Sequence, residues 1–489
     1  MQKTVFKSIS RAACVTLISF SLALGLASCG GGGMDMKCVE APARVFTTAQ
    51  IQALTPTDIK TIRDDELISF GTDIQYLSNS ALAALTNTVV NTNIWCMPHQ
   101  AQIISITPEQ IQVLSPAQIR YLGANANGGV AQIAGLNTAT FTQLVSSTAQ
   151  VAALIVPEVA TLPSEKFVLI GDNFQVLTDT VLASLKETYD ATPNNLMSHI
   201  RAITPNQIAT LTPARVQILG SAETGVPKIS FLADSTFARL VSDPAQVAAL
   251  TTQEIAALNS SQFAMIGGNF GQLSDAILTS LNYTYNATPS HIMSQIAAIS
   301  PSQIATLAPA KVRILGSYDN GISKINYLSQ NTFIALASDP AQVAAITPAE
   351  IGTFFTSNIK NLGLNIHYLS NAALGNFNYQ CAISLSNPQC QVASIDYAQT
   401  PTFSQSQIMI IAAMNGGKGI AFMSDLGFGG LTATQVTGLL PAHVVGVRAS
   451  QLAALSNETL AAFLQATRDS FTPTQKALLS ASQHTACGC

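Results

Sequence analysis

Six histidines and eight cysteines are the residues of this 489-residue chain whose types suit metal binding, acid–base work or thiol chemistry. Their spacing limits what they can do. His484, Cys487 and Cys489 form an H-x-x-C-x-C ending, three ligands able to hold a soft ion such as Cu(I) or Zn(II). The same thiols can instead oxidise: to each other, to Cys381 or Cys390, or between molecules. His99 follows Cys96 closely, so a shared metal competes there with a disulfide. His199 and His291 stand in equivalent loops at different offsets, and neither has a Cys, Asp or second His at ligand spacing. They read as surface or half-buried packing residues. His367, in "NIHYLS", occupies a place that elsewhere holds Gln or Gly, which is no setting for a tuned acid–base group. There is no G-x-S-x-G elbow, and "MNGGKGIAF" at 414–422 lacks the spacing of a P-loop and reads as a turn. Asp64, Asp65 and Glu66 read as a helix start rather than as paired catalytic carboxylates. The sequence therefore assigns no catalytic residue, no metal site and no cofactor.

Composition narrows the partners. Apolar residues make up 48% of the chain and charged ones only 10%, with a net charge of −4. The polar surface must then be Ser, Thr, Asn and Gln, and the scattered Lys and Arg leave no basic footprint for nucleic acid. Binding through such a surface should rest on apolar and amide contacts and be nearly indifferent to salt.

The first residues read as a targeting segment. Lys3, Lys7 and Arg11 precede an apolar run at 12–26 that is short for a spanning helix. Next comes Leu26-Ala27-Ser28-Cys29, which resembles the lipobox of bacterial lipoproteins. The resemblance implies cleavage before Cys29, a diacylglycerol on its sulfur and an acylated new N-terminus, a firm anchor because several acyl chains act together. Gly30, rather than Asp, follows; within that family pattern this implies the outer membrane. The glycines at 30–33 make a flexible tether. Setting Cys14 and Cys29 aside leaves Cys38, Cys96, Cys381, Cys390, Cys487 and Cys489, an even number that reads as disulfides in an exported protein. Cys38–Cys96 and Cys381–Cys390 are the pairs preferred for proximity.

Stepping along the chain, a Gln followed by Ile or Val recurs at Gln50, Gln110, Gln150, Gln207, Gln246, Gln303, Gln342, Gln407 and Gln435. Three residues before each stands Thr47, Thr107, Ser147, Thr204, Asp243, Ser300, Asp339, Ser404 or Thr432, every one a good N-cap. This is the capping-box pattern, and a Pro often occupies the first helical position between its two halves. The step from Gln207 to Gln246 is 39 residues and from Gln246 to Gln303 is 57, giving a repeat of 96. Gly171, Gly267 and Gly363 keep that step, as do Gly220 and Gly316, and each is expected to end a helix in the left-handed region. Thr178, Ser274 and Ser370 look like further caps. Cap-to-cap distances are often only eight residues, as from Asp243 to Thr251. Helices so short are marginal alone and must be stabilised by packing.

These observations predict a mainly α, solenoid-like array of short capped helices in tandem units of about 39 and 57 residues. A leucine-rich-repeat-like α/β coil, with "KISFL" and "KFVLI" as strands, is the alternative. The expected organisation is a signal peptide at 1–28, an anchor and tether at 29–45, the array at 46–403, degenerate capping repeats at 404–460 and a polar tail at 461–489. The "Leu-Thr-Pro-x-Gln-Ile" phrases resemble helical repeats of large bacterial surface proteins, a generic likeness that brings no catalytic residues. The expected function is a non-enzymatic surface or outer-membrane lipoprotein. Its array would act as a structural, adhesive or protein/glycan-binding scaffold, or associate with itself. An envelope hydrolase or transferase with a site assembled between repeats, and a metal-handling lipoprotein, are the readings from other classes.

Overall fold

The computed structural model describes residues 42–87, 100–123, 125–126, 130–187, 198–222, 225–283, 294–319, 321–379 and 390–489. Those beyond Pro42 belong to one compact unit, and it is mainly helical and solenoid-like. Among the described residues no helix is long and apolar enough to cross a membrane. The α/β alternative is overturned. "KISFL" begins a 3-10 helix, Lys228–Phe231, and "KFVLI" lies mainly in the α-helix Ser164–Leu169. The strands described are two-residue pairs, Asn125–Ala126 with Val130–Ala131 and Tyr318–Asp319 with Ile322–Ser323.

A pattern of eight residues explains why the helices are short. From Thr432 onward the N-caps fall at Thr432, Leu440, Arg448, Ser456, Leu464, Thr472 and Ser480. Within each eight the cap is extended, and in those starting at Thr432, Leu440, Arg448 and Ser456 the third and fourth residues after it are buried. The chain then extends again at a buried apolar residue just before the next cap. Asp243 shows the scheme: Gln246, Val247 and Leu250 are buried, Leu250 is extended at φ −59°, ψ 146°, and Thr251 caps the next helix. Each helix is thus stopped and redirected after about two turns, before it can bury a stripe of its own. Asp243 accepts the amides of Ala245 (2.8 Å) and Gln246 (3.4 Å), so Asp243→Ala should destabilise the fold by about 1 kcal/mol in denaturant unfolding.

The helices gain stability by stacking on the helix three places along. Ala433–Val436 packs on Asn457–Ala462, which packs on Ala481–Cys487; Asp425–Gly429 packs on Ala449–Ala453, and that on Pro473–Lys476. Upstream, Pro108–Val113 meets Thr138–Val145, Pro205–Ala209 meets Asp234–Val241, and Pro301–Ile304 meets Gln330–Ala337. Three successive helices therefore make one turn of a three-sided coil. Its interior is a continuous core of Ile, Leu, Val and Phe. Ten helical elements are described from Pro205–Ala209 up to Pro301–Ile304, the start of the next repeat. Ten is three turns plus one side, so equivalent residues of successive repeats face adjacent sides of the coil.

Glycines play two different parts. Gly71, Gly171, Gly267 and Gly363 have φ of +49°, +52°, +49° and +55° and redirect an α-helix into a 3-10 helix. Gly220 and Gly316 were expected to do the same and do not: Gly316 has φ −73° and Gly220 lies inside the helix Pro213–Gly220. They are small for a packing reason given below. The residues 461–489, expected as a polar tail, are folded into the coil, and Cys487 is buried in its core. Their polarity is that of exposed positions on short helices.

Candidate functional site

Many of the polar side chains that the coil buries stand at the first or third residue of its helices, and most of these donate to the backbone of a neighbouring turn. Thr107, Thr204 and Ser300 accept the amides of Gln110, Gln207 and Gln303. Each Gln returns its Oε1 to the cap amide, at 2.9, 2.8 and 2.8 Å. The other end of the amide does something the sequence did not announce. Nε2 of Gln110 donates to the carbonyl of Leu67 (2.7 Å), that of Gln207 to Phe167 (3.1 Å), and that of Gln303 to Phe263 (2.8 Å). These carbonyls belong to helices of the preceding turn, whose own donors to them are only the long bonds from the amides of Phe70 (3.2 Å), Ile170 (3.3 Å) and Ile266 (3.4 Å). One side chain thus satisfies two helix ends that lie far apart in sequence.

The reciprocal box forms at Thr47, Ser404 and Thr432 as well, but not at Ser147, Asp243 and Asp339. At those three caps the backbone amide is already bonded to Leu144, Leu240 or Leu336 of the helix before. Gln150, Gln246 and Gln342 then give Nε2 to two carbonyls each, for Gln246 those of Ile208 (3.1 Å) and Leu211 (2.8 Å). The donor can change while the bond is kept. At one place in the repeat Gln118, Arg215, Lys311 and Gln407 all reach the end of a 3-10 helix one turn back. At another, Gln132, Lys228 and Lys324 reach the end of an α-helix one turn back. Thr140, Thr236 and Thr332 donate to Ile106, Ile203 and Ile299 (2.5–2.6 Å). Asn173, Asn269 and Asn365 donate to Val145, Val241 and Ala337 (2.7–2.8 Å).

Three glutamates break the pattern. Glu158, Glu254 and Glu350 recur every 96 residues at the third helical position, and all are buried. Burial pushes the carboxyl of Glu158 up to about 7 and raises those of Glu254 and Glu350. Glu66, near the start of the coil, is the contrast: burial would raise it, but Arg44 and the amide of Arg63 hold it at about 2.

The histidines do not converge. His199 is buried with its ring 5.3 Å from Phe167, His367 is half-buried against Tyr368, and His484 is exposed near the chain end. His443, which spacing did not single out, is buried in the place of a ladder Gln: its Nδ1 accepts the amide of Leu440 (3.2 Å), and burial lowers its pKa. Cys487 and Cys489 are joined in a disulfide, so H-x-x-C-x-C is not a thiolate ligand set in this state. Cys390 is disulfide-bonded too, with a partner outside the described residues. Cys14, Cys29, Cys38, Cys96, Cys381, His99 and His291 also lie outside them. Among the described residues no three His, Cys, Asp or Glu side chains stand close enough to hold a metal ion. A shallow open depression of ≈ 340 Å³ is lined by Arg201, Asp234, Asn259 and Gln262, and the Gln262 amide there is committed to the Ser230 carbonyl.

What the coil leaves outside is mainly amide, hydroxyl and isolated apolar surface, with scattered charges such as Lys60, Asp179 and Asp275. One side gathers apolar residues over three turns. Segment 396–402 lies on Gly363–Tyr368 through Gln399 Nε2 to the Gly363 carbonyl (3.2 Å), and Asp425–Gly429 lies against that segment through Thr400 Oγ1 to the Gly427 carbonyl (2.8 Å). On these elements Leu364, Tyr397 and Leu426 are 60%, 59% and 75% exposed. No family model and no curated protein matches the sequence.

Proposed function

We propose that this protein is a lipid-anchored scaffold of the bacterial outer membrane, held through Cys29, whose helical coil presents side-chain surface to a protein or glycan of the envelope or to another copy of itself. What supports this reading is where the polar chemistry goes. Most of the Gln, Lys, Arg, Thr and Asn side chains that the coil buries are spent on carbonyls of a neighbouring turn, usually the preceding one. The outward residues are mainly amides, hydroxyls and exposed apolar groups such as Leu364, Tyr397 and Leu426. A coil of this kind grows by adding helices and offers long continuous sides, which suits display rather than the closed pocket a reaction needs. The lipobox supplies the anchor, and the tether at 30–33 gives the body freedom to meet its partner.

Two measurements on one pair of strains test this. Wild-type protein should label with palmitate and sediment with outer membranes. Cys29→Ser should lose the label and shift more than about nine-tenths of the protein to the soluble fraction. Protease shaving of intact cells followed by cross-linking should then recover a defined envelope neighbour from the wild type only. An unlabelled wild type, or a neighbour equally cross-linked to both forms, would refute the anchored-scaffold reading.

A further inference from the structure

The three buried glutamates stand where the coil elsewhere uses glutamine, and their geometry reports which hydrogen is missing. Oε2 does what Gln Oε1 does: it accepts the cap amide of Ile155, Thr251 or Thr347 at 2.8, 2.7 and 2.5 Å. Oε1 takes the place of the Gln NH₂ group, faces inward, and has no hydrogen-bond partner at any of the three sites. It is pressed on the backbone of the preceding turn. A Cβ added to Gly123, Gly220 or Gly316 would stand 1.7, 1.7 or 1.6 Å from the Oε1 of Glu158, Glu254 or Glu350. This contact, not a left-handed backbone, is why those residues are glycine. That place, held elsewhere in the coil by an amide donor, is tightly enclosed. A carboxylate brings two acceptors and a charge to it; a carboxyl brings one acceptor and one O–H.

We propose that Glu158, Glu254 and Glu350 form a proton-dependent clasp, each holding a proton when its turn is packed on the turn before, and that losing the protons loosens those contacts together. The charged groups around them do not replace the proton. Arg120 lies near Glu158 and Arg313 near Glu350, and their attraction is outweighed by burial; no cation counts among the influences on Glu254. The other charges on the packed segments have their own contacts. Arg215 pairs with Asp179 (3.2 Å), Lys228 donates to Ala183, Lys311 to Gly271 and Leu273, and Lys324 to Thr279; Asp275 is exposed. Titration here moves only a proton between water and carboxyl, so nothing else is consumed.

The direction follows from linkage. A carboxyl whose folded pKa is raised binds a proton on folding. Its contribution is full below the unfolded value of 4.5, falls as pH rises, and is gone above the folded value, about 7 for Glu158. Thermal and denaturant unfolding of the wild type and of E158Q, E254Q, E350Q and the triple variant between pH 5 and pH 8 would test this. The Gln variants restore the donor without the charge. At pH 8 the unfolding constant of E158Q should be about a hundredfold smaller than that of the wild type, with the difference shrinking to within about threefold at pH 5. The infrared carbonyl band of a protonated carboxyl should be present in the folded wild type at pH 6 and weaken with each substitution. Parallel pH profiles of wild type and single variants, or no such band, would overturn the clasp. Lipid anchoring plays no part in either readout.

Discussion

Deletion of residues 432–455 should leave a folded protein, whereas deletion of 432–443 should not. The longer cut removes three eights, one complete turn of the coil. Ser456 then takes the place of Thr432 as cap, and Asn457–Ala462 lands on the side from which Ala433–Val436 is removed. Thr459 replaces Gln435 as the inward donor, so the carbonyls of Thr400 and Phe403 lose an amide partner, a modest cost. One cooperative melting transition with unchanged helicity per residue is expected, because stability in stacked repeats is nearly additive over neighbours. The shorter cut removes an eight and a half. It brings Val444 to the cap position and Arg448 to the fourth place after it, where the intact chain has the fully buried Val436. Burying that cation without its present partners, the Ala421 and Met423 carbonyls and Asp425, should cost on the order of 5 kcal/mol. Circular dichroism and melting of the two deletions side by side decide the matter: equal behaviour would rule out three helices per turn.

The second large effect concerns the shared glutamine. Gln303→Leu leaves the amide of Ser300 unpaired and leaves the carbonyl of Phe263 only its long bond from the Ile266 amide (3.4 Å), and the residue is fully buried. The orphaned amide costs about 1–3 kcal/mol and the lost bond between turns about 1 kcal/mol more, so a loss of about 2–4 kcal/mol is expected in urea unfolding. Gln50→Leu removes the same box in the first helix, where Gln50 is exposed, and should cost under about 1 kcal/mol. Similar costs at the two positions would mean that the Gln matters only as a cap and not as a tie between turns.

Much of this was legible in the chain itself. Helix starts announce themselves, because a cap oxygen, a Pro at the first position and a Gln at the third act within a few residues of one another. Thr204-Pro205-Asn206-Gln207 needs no distant partner to begin a helix. The role of Gly267 could also be read, since a left-handed residue after an apolar run is a local demand. Gly220 also follows an apolar run and was misread, because its reason is the carboxyl of Glu254, which arrives from the following turn. The strand reading of "KISFL" failed in a similar way: β-branched and aromatic residues favour an extended chain, but enclosure within the coil placed them in a 3-10 helix. His443 could have been found by one signal, its place at the third position of an eight where the neighbouring helices carry Gln.

The amino-acid order alone determines where helices begin, where they stop and that they recur, because capping and backbone preference act over one or two turns of chain. Only the winding of the coil decides which carbonyl each glutamine amide meets, 35 residues back for Gln246 to Leu211 and 43 for Gln110 to Leu67. It also decides which side a repeat faces and which carboxyls are enclosed enough to keep a proton. Those properties depend on neighbours and on exclusion of water, and a residue acquires both only when a second turn is laid against the first.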